Sequence, residues 1–149
     1  MSCSPMKLRG ALLGSVVLAA LAMAVAPSRA ADIPNLVGTW KGTALAIHIG
    51  DNPYRKSTQA GPNMPANTIE MTITIGEQKD NRFSGQATGG GRTETLIGAI
   101  SPSNLGGVIL DDDGQYLFTI RDSNTLDVCY SHQKPNDKVV ICFAWQRTK

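Results

Sequence analysis

A tryptophan stands near each end of the part of this chain that reads as fold: Gly38-Thr39-Trp40 opens it and Trp145-Gln146-Arg147 nearly closes it. Between them lie short segments punctuated by turns, and no stretch long enough for a substantial helix carries a 3.6-residue apolar stripe. An indole on a first strand and a guanidinium on a last strand can stack across the seam where a sheet closes on itself, because the delocalised cation packs over the ring face. The bracket Trp40, Trp145 and Arg147 therefore constrains the chain to a sheet that closes. It names an architecture and leaves the ligand open.

The segments inside the bracket support that reading. Ile69, Met71, Ile73 and Ile75 alternate with Glu70, Thr72 and Thr74, and Tyr116, Phe118 and Ile120 alternate with Thr119 and Arg121, the period of a half-buried strand. Weaker strand patterns cover 38–49, 82–88, 93–100 and 107–110, while 76–81, 89–91, 101–106, 111–114 and 122–124 read as turns. With 126–132 and 139–145 these make eight strands. Short links in series predict an all-β, eight-stranded antiparallel up-and-down barrel, with a two-sheet sandwich as the alternative.

Cysteine spacing fixes the last hairpin. Lys134-Pro135-Asn136-Asp137 is a four-residue turn candidate, and a hairpin centred there sets Cys129 directly opposite Cys142. A disulfide in this position closes a short loop and contributes about 3 kcal/mol. The same register pairs Leu126 with Trp145, Val128 with Phe143, Tyr130 with Ile141 and His132 with Val139 on the core face. The disulfide then lies on the outer face with Asp127, Ser131, Val140, Ala144 and Gln146. A redox or metal role for the pair lacks both a C-x-x-C spacing and a His cluster.

Residues 1–30 read as a secretory leader and residues 31–149 as one domain. Lys7 and Arg9 precede a 16-residue run, Ala11 to Ala26, broken only by Gly14 and Ser15, and Pro27-Ser28-Arg29-Ala30 supplies small residues for cleavage after Ala30 or Ala31. That run is shorter than the ~20 apolar residues a stable membrane span needs. Met6 would begin a normal leader as well as Met1 does. Of fourteen basic residues, Lys7, Arg9 and Arg29 belong to the leader, so the remainder stands at one net negative charge against twelve acids. No basic run survives to recruit nucleic acid or an anionic membrane. The expected location is periplasmic or secreted, which agrees with an even pair of cysteines after the leader.

Gly38-Thr39-Trp40 resembles the G-x-W signature on the first strand of the calycin superfamily, which holds the lipocalins and the avidin-like proteins, and Arg147 resembles the last-strand Arg that packs on that Trp. The long first connection, 50–67, is similar to the lipocalin plan, in which it arches over the barrel mouth. The resemblance implies that Trp40 and Arg147 close the barrel at the end away from any ligand. Avidin-like proteins read biotin with a first-strand Asn and Ser and several later Trp; here Lys41-Gly42-Thr43-Ala44-Leu45 follows Trp40 and the chain has two Trp. A buried ureido group needs convergent polar partners that this strand does not supply. The chain is also similar to small bacterial inhibitors of secreted metalloproteases, which combine a leader, an eight-stranded barrel and one disulfide. That family inserts an N-terminal segment into the protease cleft, and Asp32-Ile33-Pro34-Asn35 is a short extended tail of that kind.

Strand alternation gathers 50–67, 88–92, 111–115 and 133–138 at one end, the candidate mouth. Its candidate ligand-binding residues are His48, Tyr54, Arg55, Arg92, Tyr116, Tyr130 and His132, a set able to hold a carboxylate or an aromatic hydroxyl. Asp111-Asp112-Asp113-Gly114 lacks the alternating ligands of a calcium loop and reads as a hairpin turn with solvated charges. Gly89-Gly90-Gly91-Arg92 is a hairpin tip and no phosphate loop. The sequence requires no cofactor and no metal, and no nucleophile, base and orienting acid can be assembled from it. The leading reading is a carrier of a small, partly apolar ligand in the barrel mouth; the alternative is a protein-binding barrel directed at a secreted protease. An interior cavity of ~300 Å³ or more favours the first, a filled core with an ordered tail the second. An enzyme is the least supported class.

Overall fold

Nine strand segments make up the regular structure of residues 32–148, the residues described by a computed structural model of the chain. They are β1 Gly38–Ala44, β2 Ala46–Ile49, β3 Ile69–Lys79, β4 Arg82–Gly89, β5 Arg92–Ile100, β6 Gly106–Leu110, β7 Gln115–Asp122, β8 Thr125–Lys134 and β9 Asp137–Thr148. The leader and its cleavage after Ala30 or Ala31 lie outside the described residues.

β1 and β2 are two halves of one barrel strand. Both pair antiparallel with β9 in a single register, from Thr39 opposite Thr148 to Ala46 opposite Ile141, with the break at Leu45. β1 also pairs with β3, where Trp40 lies opposite Ile73, so the sheet returns to its start. Each later strand pairs with its successor, and every pairing is antiparallel. The result is an eight-stranded up-and-down closed barrel, as the turn spacing predicts, and the sandwich alternative falls. Closure leaves no long unpaired edge among the described residues.

The last hairpin follows the predicted register: Cys129 opposes Cys142 and is disulfide-bonded to it, with Leu126 opposite Trp145, Val128 opposite Phe143, Tyr130 opposite Ile141 and His132 opposite Val139. Both cysteines face outward, so the cross-link leaves the interior to apolar side chains. Those side chains fill it. Phe143, Trp145, Tyr116, Tyr130 and His132 follow one another as an aromatic column with successive ring centroids 5.3, 5.1, 4.7 and 5.8 Å apart. Around it Ile73, Leu96, Ile109 and Leu126 are fully buried, each contributing about 1.5–3 kcal/mol relative to exposure.

One strand boundary differs from the expectation. Residues 76–81 do not form one turn: β3 runs on to Lys79, pairing Glu77 with Ser84 and Gln78 with Phe83, and its register shifts between Ile75 and Glu77. Gly76 is the extra residue of that bulge, and a glycine there reads in sequence as a turn although the ladder resumes beyond it. The reversal itself is Asp80-Asn81, with Asp80 at φ 56°. Trp145, opposite Leu126 near the β7–β8 turn, carries the column inward by stacking on Tyr116.

Candidate functional site

The strand alternation that fills the core also decides what the two barrel ends can do. At the closed end, Arg147 lies 4.1 Å over the Trp40 ring. Its guanidinium donates to the carbonyls of Val37 (2.7 Å), Asn35 (2.7 Å) and Ser123 (3.0 Å). Trp40 Nε1 donates to the Leu36 carbonyl at 3.0 Å, and Leu36 is buried as a plug beneath the tail. Gln78, on the stretch of β3 past the bulge, accepts from Leu36 N and donates to the Pro34 carbonyl. The tail is thus anchored from Pro34 to Val37, while Asp32 and Ile33 stay exposed beyond the last anchor.

At the mouth, the 50–67 connection, the Gly90-Gly91 turn, the 111–114 turn and the 135–136 turn converge. The connection is held almost wholly by polar contacts. His48 and Asn63 exchange backbone hydrogen bonds at 3.1 and 2.7 Å. The Asn63 side chain accepts from Thr58 N and Oγ1 and donates to the carbonyls of Gln59 and Gly61. Arg55 clamps Asn67 through its side-chain and backbone oxygens at 2.9 and 2.6 Å. Tyr54 lies against the β4–β5 turn, where Gly90 has φ 53° and a Cβ would overlap the ring.

Beneath this roof lies a cavity of about 30 Å³, lined by His48, Tyr54, Arg55, Tyr116 and Tyr130 together with apolar residues such as Ile69, Met71 and Phe143. That is room for about one water. The structure therefore brings five of the seven candidate residues to one place. Arg92 and His132 are not on the cavity wall. Arg92 instead sits 6.0 Å from the Tyr54 ring centroid and 3.5 Å from Glu94 Oε1. The His132 ring is fully buried behind Tyr130, with Nδ1 3.1 Å from the Tyr130 hydroxyl and Nε2 2.8 Å from Asp137 Oδ2.

The least expected feature of the mouth is its carboxylates. Asp111-Asp112-Asp113-Gly114 is a hairpin turn, as its composition predicts, with Asp111 Oδ1 accepting from Asp113 N and Gly114 N. Its charges are not all solvated. Asp113 accepts from Tyr130 Oη at 2.7 Å and from Lys134 Nζ at 2.9 Å, and its side chain is only 10% exposed. Gly114 makes the first bond possible, since a Cβ there would overlap the Tyr130 hydroxyl. Glu94 points inward from β5 with 3% exposure and reaches the same cluster. Three tyrosines surround these acids: Tyr130 donates to Asp113, and the hydroxyls of Tyr54 and Tyr116 feel Glu94 and Asp111 respectively as neighbouring charges. Burial, reinforced by the carboxylates, pushes all three hydroxyls well above the ordinary tyrosine range, so they remain donors.

Burial also pushes the Glu94 carboxyl up, against the pull of the neighbouring Tyr54 hydroxyl, and the charges of Asp111 and Asp113 add to the rise. Asp113 goes the other way. Burial opposes its ionisation, but the hydrogen bonds from Lys134 and Tyr130 outweigh it and hold the carboxyl below its usual value. Neighbouring acids are thus driven apart by their partners.

Glu94, Asp111, Asp113 and Asp137 were not among the candidate residues. One signal was available: Glu94 shares its strand parity with Leu96 and Ile100, so an acid stood on an inward-facing position of β5. The comparison of this chain with protein-family models, curated proteins and solved structures found no match.

Proposed function

We propose that this chain is an exported, calycin-type barrel that acts by binding another protein, with a secreted protease as the partner class. The observation that carries this reading is a filled interior combined with an apolar exterior. The cavity under the mouth holds about 30 Å³, against the ~300 Å³ or more of small-molecule sites. Outside, Ala99, Val108, Leu117, Cys129 and Cys142 face solvent as one cross-strand row on β5 to β9, each directly paired with the next. Ile97 and Leu110 pair beside it, as do Ile47 and Val140. Leu117 is 57% exposed, Ile97 59% and Val140 51%. An exposed apolar surface spread over adjacent strands is the usual mark of a protein-binding face.

The protease identity rests on the resemblance to the small bacterial inhibitors and on the tail. Arg147 and Gln78 hold residues 34–37 and leave Asp32-Ile33 projecting, a pre-ordered segment that loses little entropy on entering a cleft. The test is inhibition of a secreted zinc endopeptidase by the protein without its leader, by a form lacking residues 31–33, and by Leu117→Asp. The reading expects inhibition to fall at least tenfold in both variants with folding unchanged. Absence of inhibition by the intact protein sinks the protease assignment, and full inhibition by both variants sinks the proposed surfaces.

A small, partly apolar ligand at the mouth is the second reading. It is favoured by the tyrosine-lined cavity beneath a roof whose own buried residues are the polar Asn52 and Asn63. Such a ligand must lift the roof to enter. Native mass spectrometry of protein from its own organism distinguishes the two: a retained small molecule supports the carrier, its absence the protein-binding barrel.

A further inference from the structure

We propose that Glu94, Asp111 and Asp113 form a binding site for a calcium-class divalent cation at the barrel mouth. One carboxylate oxygen from each of the three lies within 4.8 Å of the other two. Calcium binds oxygen at roughly 2.3–2.6 Å, so two ligands on one ion stand no more than about 5 Å apart. A single ion can therefore reach all three residues from where they already stand.

The acidic turn alone would not carry this assignment, since Asp111 Oδ1 is used to cap its own turn. Glu94 supplies the independent observation. It comes from a different strand and is 3% exposed, it reaches the turn with a carboxylate oxygen, and its Oε1 atom is buried without a hydrogen-bond partner. The nearest cation, Arg92 Nε, is 3.5 Å away on a half-exposed side chain and outside hydrogen-bonding geometry. Asp111 Oδ2 is likewise buried without a hydrogen-bond partner. Sequestering three carboxylates this close is costly unless a proton or a cation offsets the repulsion. Lys134 offsets part of it, but it pairs only with Asp113 among the three.

The donor chemistry selects the ion. All three ligands are hard carboxylate oxygens, and the Tyr130 hydroxyl bonded to Asp113 adds a neutral oxygen beside them. No thiol or imidazole is in the triad, which disfavours zinc and copper. The ligands come from one strand and one hairpin turn, which suits the tolerant coordination of calcium better than the near-ideal octahedron that magnesium demands. With three protein carboxylates, affinity in the range of about 10⁻⁴–10⁻³ M is expected, as for extracellular calcium modules. A bound ion would tie β5 to the β6–β7 turn and so stiffen the mouth. This inference stands apart from the choice between a protein partner and a small ligand.

The experiment uses terbium as a calcium analogue with chelator-treated protein, because the three tyrosines beside the carboxylates should sensitise its emission. Tyrosine-sensitised emission that calcium displaces, and a thermal midpoint raised by calcium more than by magnesium, are the expected results. Glu94→Gln and Asp111→Asn should each weaken terbium binding at least tenfold. The asparagine keeps the turn-capping oxygen, and the glutamine removes a charge the fold disfavours, so both variants should remain folded by circular dichroism. Lys134→Met should tighten binding about threefold by removing a competing cation. No sensitised emission, or variants that bind terbium as tightly as the parent, would overturn the site. Neither outcome depends on protease inhibition.

Discussion

The two ends of this barrel use the same kinds of side chain to opposite effect. At the closed end, Arg147 places its donors on three carbonyls and its flat face on Trp40, while Gln78 serves the tail through both ends of its amide. At the mouth, Glu94 Oε1, Asp111 Oδ2, Asp137 Oδ1, Asn52 Nδ2 and Arg55 Nε are buried without hydrogen-bond partners. Among the described residues, Trp145 Nε1 is the one such atom that does not belong to the mouth. A buried polar atom without a partner costs about 1–3 kcal/mol, so one end is satisfied for stability and the other retains unsatisfied polar capacity. That asymmetry leaves unsatisfied polar capacity at the mouth, while the closed end is bonded to hold the fold and the tail.

The comparison can be broken most forcefully at the closed end. Arg147→Ala should cost about 2 kcal/mol in urea unfolding, since it removes the three donors that hold the tail and the β7–β8 turn together with the indole contact. Arg147→Lys should restore less than half of that, because an ammonium cannot match the fork. A loss below about 1 kcal/mol would mean the seam does not depend on this residue. The mouth should respond with the opposite sign. Glu94→Gln should stabilise the protein by about 1 kcal/mol near neutral pH. Glu94 has a folded-state pKa above its unfolded value, so its penalty is absent below the unfolded pKa and grows as pH rises through the folded one. The advantage of the glutamine should therefore vanish below about pH 4. Measured destabilisation at pH 7 would contradict the unsatisfied-mouth account.

The smallest effect is expected at Lys134. Asp113 has a folded-state pKa below its unfolded value, so its contribution is present above the unfolded pKa and is lost as pH falls through the folded one. Because Lys134 is 45% exposed at its side chain, Lys134→Met should cost no more than about 0.5 kcal/mol at neutral pH. The difference from the parent should disappear as Asp113 protonates in acid. A salt titration should shrink the effect further.

These contrasts also explain what could be read without coordinates. The final hairpin was legible to the residue because Cys129, Cys142 and a four-residue turn fix one register, and every predicted core pair follows from it. The Trp40 and Arg147 seam was legible because first- and last-strand partners must meet when a sheet closes. The end of β3 was not, because Gly-Glu-Gln-Lys carries turn composition while the bulge at Gly76 lets pairing resume. Nor was the carboxylate cluster. Glu94 and the 111–113 turn are separated by a whole strand, and only the β5–β6–β7 pairing brings them together. Arg92 and His132 carry the chemistry of a ligand site, but the structure gives one to Tyr54 and Glu94 and the other to Tyr130 and Asp137.

Native-state hydrogen exchange tests the division between the two ends most directly, because both hold amides in defined backbone bonds. At the closed end these are Ile100 N to Asn81 O, Ile120 N to Leu105 O and Arg147 N to Asn124 O; at the mouth they are His48 N to Asn63 O, Asn63 N to His48 O and Arg55 N to Asn52 O. The closed-end amides should exchange only with global unfolding, and the mouth amides should exchange through a local opening at least tenfold more often. Equal protection at both ends, in protein freed of divalent cations, would contradict the account.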